Sequence, residues 1–164
     1  MDYIGVSGLV VSIAGFALSL WQIGKARTAA EAATTAAREA VAAVRAIHAV
    51  ADIQEICGRS RNLLHLVRAG NIEAAATAAF ELRELVARFH ATDAAHRLAS
   101  AETWRQAFDS LCSIHDRFET AAMVKTLHHD ERKTSLHEIS QLHTQFSTFA
   151  AAAADTGVNH DNSH

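Results

Sequence analysis

Proline is absent from this chain, which removes the strongest helix breaker. Glycine occurs only 7 times in 164 residues and is left as the main punctuation between segments. Long helices are therefore expected. The two cysteines, Cys57 and Cys112, have no motif spacing, so the sequence supplies neither a disulfide framework nor a paired Cys-x-x-Cys metal or redox motif. An excess of charge of one sign is also lacking. With 15 Lys+Arg against 18 Asp+Glu and a formal net charge of −3, there is no general attraction to nucleic acid. Catalytic signatures are missing as well: no glycine-rich phosphate loop follows a strand, and no nucleophile elbow occurs. Glu81, Glu84, Glu102 and Glu119 form no arrangement that singles out a general acid and base, and they pair more simply with helix-surface arginines. The reading is of a protein that is not an enzyme and that has no catalytic residues and no cofactor.

Charge is missing most completely from Tyr3 to Ile23, a run dominated by Ile, Val, Leu, Phe, Ala and Gly. As a single helix rising about 1.5 Å per residue, such a run spans the roughly 30 Å hydrocarbon core of a bilayer. A cleaved secretory signal fits less well, because only Met1 and Asp2 precede the run where a basic region belongs. A buried core helix of this length would carry more polar interruptions than Ser7, Ser12 and Ser19. Lys25, Arg27, Arg38 and Arg45 all follow the apolar run, and none precedes it. By the positive-inside rule, the C-terminal part lies in the cytoplasm and the N-terminus outside.

The expected organisation is a transmembrane anchor over 1–24, an Ala-rich stalk over 25–46, a helical bundle over 47–154 and a disordered tail over 155–164. Alanine is the best helix former, so the stalk continues the anchor helix. From Val41, larger residues return at helical spacing through Val44, Ile47, Ile53, Ile56, Ser60, Leu63 or Leu64, and Val67. Gly70 then supplies a C-terminal cap and Asn71 an N-cap. A second helix shows Ile72, Ala75, Ala79, Leu82, Val86 and Phe89 on one face. After a break or loosened turn near Thr92 and Asp93, Ser100 caps a third helix with Trp104, Phe108, Leu111, Ile114 or His115, and Phe118. A turn within "HHDERKTS" precedes a fourth stripe of Leu136, Ile139, Phe146 and Phe149. Four apolar stripes, counting the distal stalk, make an all-α antiparallel bundle the natural solution.

The sharpest local pattern is inside the anchor. Gly5, Gly8, Ser12, Gly15 and Ser19 recur at steps of three and four on a single face. Small residues allow close backbone approach between membrane helices, so this face is the candidate for self-association into a homo-oligomer. Trp21 and Gln22 fit an interfacial anchor against membrane lipid. Arg61, His65 and Arg68 share one face of a later helix and are the candidate contact for a cytosolic protein partner. The 11 histidines include the pair His128 and His129 beside Asp130, and His137 and His143 six apart. None makes a metal motif within one segment.

The stretches "GLVVSIAGFALSLWQIGKARTAAEAATTAAREAV" and "LVRAGNIEAAATAAFELREL" resemble a group of small, mostly uncharacterised bacterial single-pass membrane proteins. Those have an N-terminal anchor of the form Gly-apolar-Ser-Ile-x-Gly-Phe, a Trp-Gln pair, a basic residue, an Ala-Glu-rich stalk and a helical cytoplasmic domain. The match runs through Gly8, Ser12, Ile13, Gly15, Phe16, Trp21, Gln22, Lys25, Arg27, Ala29 and Glu31. The resemblance covers about the first forty residues and implies the architecture and a bacterial inner membrane, with no catalytic residue to transfer. The functional expectation is a non-enzymatic, membrane-anchored scaffold or adaptor that self-associates through its anchor and presents the bundle to a partner. The alternative is a membrane-active effector or sensor whose clustered anchors perturb the bilayer on a signal.

Overall fold

The computed structural model describes the helical backbone over residues 3–159 and the side chains of residues 15, 16 and 18–155. It is all-helical, as expected, with no strand among the described residues: α1 (Tyr3–Ala69), α2 (Ile72–His90), α3 (Asp93–Leu98), α4 (Ala101–Val124) and α5 (His129–Asn159). The chain divides into two compact units, Met1–Val44 and Arg45–His164, and α1 contributes to both.

In the first unit every described residue is exposed. The helix is carried by alanine propensity, by an Arg27–Glu31 pair at 3.0 Å, and by Thr28, Thr34 and Thr35, whose hydroxyls donate to the carbonyls four residues back. Phe16, Leu18, Leu20, Trp21 and Ile23 are all more than half exposed. Among the described residues, no helix is long and apolar enough to cross a membrane. Most of the apolar run Tyr3–Ile23 lies outside the side chains so described.

The second unit is built around one apolar core. Ile53, Ile56, Leu63 and Val67 of α1 meet Leu82, Val86 and Phe89 of α2, Trp104, Leu111 and Phe118 of α4, and Ile139 and Phe146 of α5. The α1 stripe enters this core later than its periodicity suggests, because Val41, Val44 and Ile47 are 50%, 52% and 68% exposed. Ala49 and Val50 are the first residues to pack, and Ile53 the first to be fully buried. Periodicity marks which face is apolar, whereas burial also needs a neighbouring helix alongside. Trp104 is the centre of the aromatic packing. It is fully buried, lies edge-to-face with Phe89 at 5.3 Å, packs on Phe149 at 5.0 Å and stacks on Phe146 at 6.3 Å. Its Nε1–H donates to the Ala95 carbonyl at 2.9 Å, which satisfies the one polar atom of the indole.

The helix ends show how the sequence sets these lengths. Asn71 caps α2 by accepting from the Ala74 N–H at 3.2 Å, and Ser100 caps α4 by accepting from Thr103 N–H at 3.2 Å. The expected break near Thr92 and Asp93 is present: α2 ends at His90, and after Ala91 and Thr92 the short helix α3 starts at Asp93, capped by Thr92, which accepts from Ala95 N–H at 3.3 Å. α1 and α4 end in the same motif. Asn71 N–H donates to Leu66 O at 3.1 Å and Gly70 N–H to Val67 O at 3.2 Å. Likewise Thr126 N–H donates to Ala121 O at 3.1 Å and Lys125 N–H to Ala122 O at 3.3 Å. The left-handed position is Gly70 (φ 76°) in one and Lys125 (φ 52°) in the other. α5 begins at His129, so the "HHDERKTS" stretch is helical after its first residue; Glu131 accepts from the His128 N–H at 3.2 Å and fixes that start. At its other end α5 extends to Asn159, past the expected start of the tail at 155.

Candidate functional site

Two sets of residues were expected to carry function, one in each unit. Of the small-residue face, Gly5, Gly8 and Ser12 lie outside the described side chains. Gly15 and Ser19 are described and exposed. Ser19 Oγ donates to the Gly15 carbonyl at 2.9 Å, so the hydroxyl is satisfied within its own helix. A methyl group placed on Gly15 would meet nothing within 4 Å. The position is therefore open to an approaching helix. Two residues beyond Ser19, the Trp21 ring carries Lys25 Nζ at 5.4 Å from its centroid.

In the second unit Arg61, His65 and Arg68 are all exposed on α1 and, at steps of four and three, lie on one face. None of the three side chains has an ion-pair or hydrogen-bond partner among the described residues, whereas nearby Arg59 is taken up by Glu81 at 2.7 Å and Glu55 at 3.3 Å. The strip thus keeps its donors free. Its C-terminal end is fixed by a contact that the sequence did not reveal. From α5, Arg132 donates Nε–H to the Val67 carbonyl at 3.1 Å and Nη2–H to the Arg68 carbonyl, so a guanidinium caps the open end of α1. The helix C-terminus carries partial negative charge, which favours a cation there.

Beside this strip lies the polar contact between α1 and α5. Ser60 is wholly buried, and its Oγ lies 2.9 Å from the Cys57 carbonyl and 2.8 Å from His143 Nδ1. One hydroxyl proton serves only one of these. With the proton directed to the carbonyl, His143 donates Nδ1–H to Ser60 Oγ. A serine beside a histidine suggests a nucleophile and its base, but this serine is closed to substrate, and no carboxylate among the described residues hydrogen-bonds His143. The pair fastens two helices. Cys57 is half-buried and reduced; burial pushes its thiol pKa up, against smaller opposing pulls from a Ser147 hydrogen bond and the Arg61 guanidinium. On the far surface of α4, Arg105 holds the fully exposed Glu102 carboxyl below its usual range, helped by Gln106.

The histidines singled out from the sequence are not brought together. His143 serves Ser60, His137 Nε2 lies 3.0 Å from Gln141 Nε2, and His128 and His129 are exposed at the start of α5. A different group does converge: donor atoms of His115, Asp116 and Glu119 on α4 all lie within 4.8 Å of one another. Spacing alone could have found it, since positions i, i+1 and i+4 of a helix fall on adjoining faces. The surface depressions are shallow. One runs along α5 past His137, Gln141 and Thr144, and another lies between α1 and α2 beside Arg59, Phe80 and Glu81.

No protein-family profile, curated protein or solved structure matches this chain.

Proposed function

We propose that this chain is a single-pass membrane protein of the bacterial inner membrane, a scaffold whose anchor gathers copies and whose cytoplasmic antiparallel helical bundle recruits a protein partner. The observation that carries the proposal is the distribution of apolar side chains at the end of the anchor. At about 100° per residue, Phe16, Leu18, Leu20, Trp21 and Ile23 spread over about 220° of the circumference of α1, with Gly15, Ser19 and Gln22 in the remaining arc, and all five are exposed. An apolar surface this broad on one helix belongs in a protein core or in lipid, and among the described residues these side chains are all left exposed. The Trp21 ring under the Lys25 ammonium suits the headgroup boundary, where an amphipathic ring and a snorkelling lysine both find their preferred surroundings. Lys25 and Arg27, immediately beyond the run, favour a cytoplasmic bundle.

Within that arrangement Gly5, Gly8, Ser12, Gly15 and Ser19 form the helix–helix contact face. Arg61, His65 and Arg68, exposed and unpaired, present three donors to an acidic protein surface.

The test is affinity purification of the tagged, natively expressed protein in mild detergent, with crosslinking of the membranes in parallel. The wild type is expected to crosslink to itself and to retain a stoichiometric cytosolic protein. Gly8→Leu with Gly15→Leu is expected to lose the crosslink, and Arg61→Glu with Arg68→Glu to lose the partner while keeping the crosslink. Undiminished crosslinking in the first double variant would sink the self-association role. Recovery of the protein in the soluble fraction after a carbonate wash would remove the anchor altogether.

A further inference from the structure

We infer that His115, Asp116 and Glu119 form a binding site for a divalent metal ion of borderline softness, with Zn²⁺ the representative case. The imidazole is prepared for this. His115 Nδ1 lies 3.3 Å from the Ala76 carbonyl of α2, an acceptor only, so Nδ1 carries the proton and the Nε2 lone pair is left free. A backbone carbonyl on the second ring nitrogen is the support that metal-bound histidines ordinarily have. The ring is also held in place, with a side chain 14% exposed and packed 5.7 Å from the Phe80 ring. Nε2 emerges at the edge of this packing, next to the two carboxylates.

The distances favour an ion over a direct contact. Glu119 Oε2 is 3.6 Å from His115 Nε2. That is too long for a hydrogen bond between nitrogen and oxygen. Ligands about 2.1 Å from a tetrahedral ion are separated by about 3.4 Å, which is close to the spacing already present. All three donor atoms lie within 4.8 Å of one another, so a rotation of an exposed carboxylate closes the set. Neither Asp116 nor Glu119 has a lysine or arginine partner among the described residues, although the nearby Arg117 is committed to Glu138 at 3.0 Å and to Ser135 at 2.6 Å. Two unneutralised carboxylates on one helical turn repel each other, and a shared cation removes that cost. Imidazole with carboxylates suits Zn²⁺ and its neighbours over calcium or magnesium, which prefer all-oxygen sites. Three donors from a single helix leave a fourth position facing solvent, available to water or to a side chain from another molecule.

The experiment is a Zn²⁺ titration of the full-length, chelator-stripped protein in mild detergent near neutral pH, read by competition with a chromophoric chelator. The expected result is one Zn²⁺ per chain, with affinity reduced tenfold or more in Glu119→Gln and in Asp116→Asn. A variant with His128→Gln and His129→Gln is expected to bind as the wild type does. Co²⁺ in place of Zn²⁺ is expected to give a d–d absorption band that the Glu119→Gln variant lacks. His115→Gln is expected to abolish binding; should that half-buried substitution prevent folding, the two exposed carboxylate variants decide the matter. Absence of saturable uptake, equal affinity in Glu119→Gln and Asp116→Asn, or loss of binding in the His128 and His129 variant instead, would each overturn the proposal.

Discussion

Two helices of this protein stop in the same hydrogen-bonded motif with different residues at its left-handed position, and the contrast makes a controlled experiment. Gly70 sits at φ 76° and Lys125 at φ 52°. An L-residue in the left-handed region costs roughly 1–2 kcal/mol, a cost glycine does not bear. A methyl group at Gly70 would meet no atom within 4 Å, so Gly70→Ala brings in the backbone term without a clash. Alanine also stiffens the unfolded chain, which offsets about 0.4–1 kcal/mol. The net expectation is a loss of about 1 kcal/mol for Gly70→Ala and a gain of about 0.5–1 kcal/mol for Lys125→Gly. With a urea m-value of about 1–3 kcal/mol per M, the unfolding midpoints move by roughly 0.5 M in opposite directions. Trp104 is the natural reporter because it is buried, and Trp21→Phe removes the only other tryptophan. Urea titrations of full-length protein in mild detergent, followed by Trp104 fluorescence, give the two midpoints. A shift in the same direction for both substitutions would refute the argument, and Lys125→Ala, which keeps the strain, should move the midpoint little.

Three further outcomes are expected. Trp104→Phe removes the hydrogen bond to Ala95 O and leaves a small void, so stability should fall by about 1–2 kcal/mol, against about 3–5 kcal/mol for Trp104→Ala; equal losses in urea unfolding would show that the ring packing is misassigned. Arg132→Met should lower stability by about 1–2 kcal/mol by uncapping α1, with Arg132→Lys between it and the wild type; an unchanged midpoint for Arg132→Met would count against the cap. For Cys57, burial raises the folded-state pKa, so its stabilising effect is complete below the unfolded value and is lost as pH rises through the folded one. In a Cys112→Ser background, alkylation of native Cys57 should therefore lag the urea-unfolded thiol and rise at higher pH; equal rates in both states would contradict this.

What the sequence revealed was mostly local. Gly70, Asn71 and Ser100 act where their chemistry suggests, because their capping hydrogen bonds join atoms only three to five residues apart. The apolar faces of α2, α4 and α5 were readable for a related reason, since helical periodicity is a property of one segment. Lys125 was not readable as a helix stop, because lysine has no preference for the left-handed region and hydrogen bonds around it decide the matter. Val41, Val44 and Ile47 carry a core-like pattern without a core, since nothing in a segment records how far its neighbours extend. The Arg132 cap joins residues 64 and 65 apart, and the His115 carbonyl contact joins residues 39 apart. Such contacts exist only once helices have been placed side by side. The metal cluster lay within reach of spacing arguments, yet its case rests on Ala76, which spacing does not supply.

Ser60 and His143 have a consequence for how the helices can be misassembled. Apolar stripes are permissive: a leucine that slips by one turn meets another leucine, and the energy changes little. When the two lose each other, Ser60 keeps the Cys57 carbonyl of its own helix, but the half-buried His143 loses its partner on Nδ1, at a cost of roughly 1–3 kcal/mol. Their 2.8 Å contact therefore works like the pin of a lock between α1 and α5, adding little to the energy of the correct alignment while penalising every alignment one turn away. In a chain so rich in alanine, whose helices could slide past one another on small side chains, two polar residues 83 positions apart set the register.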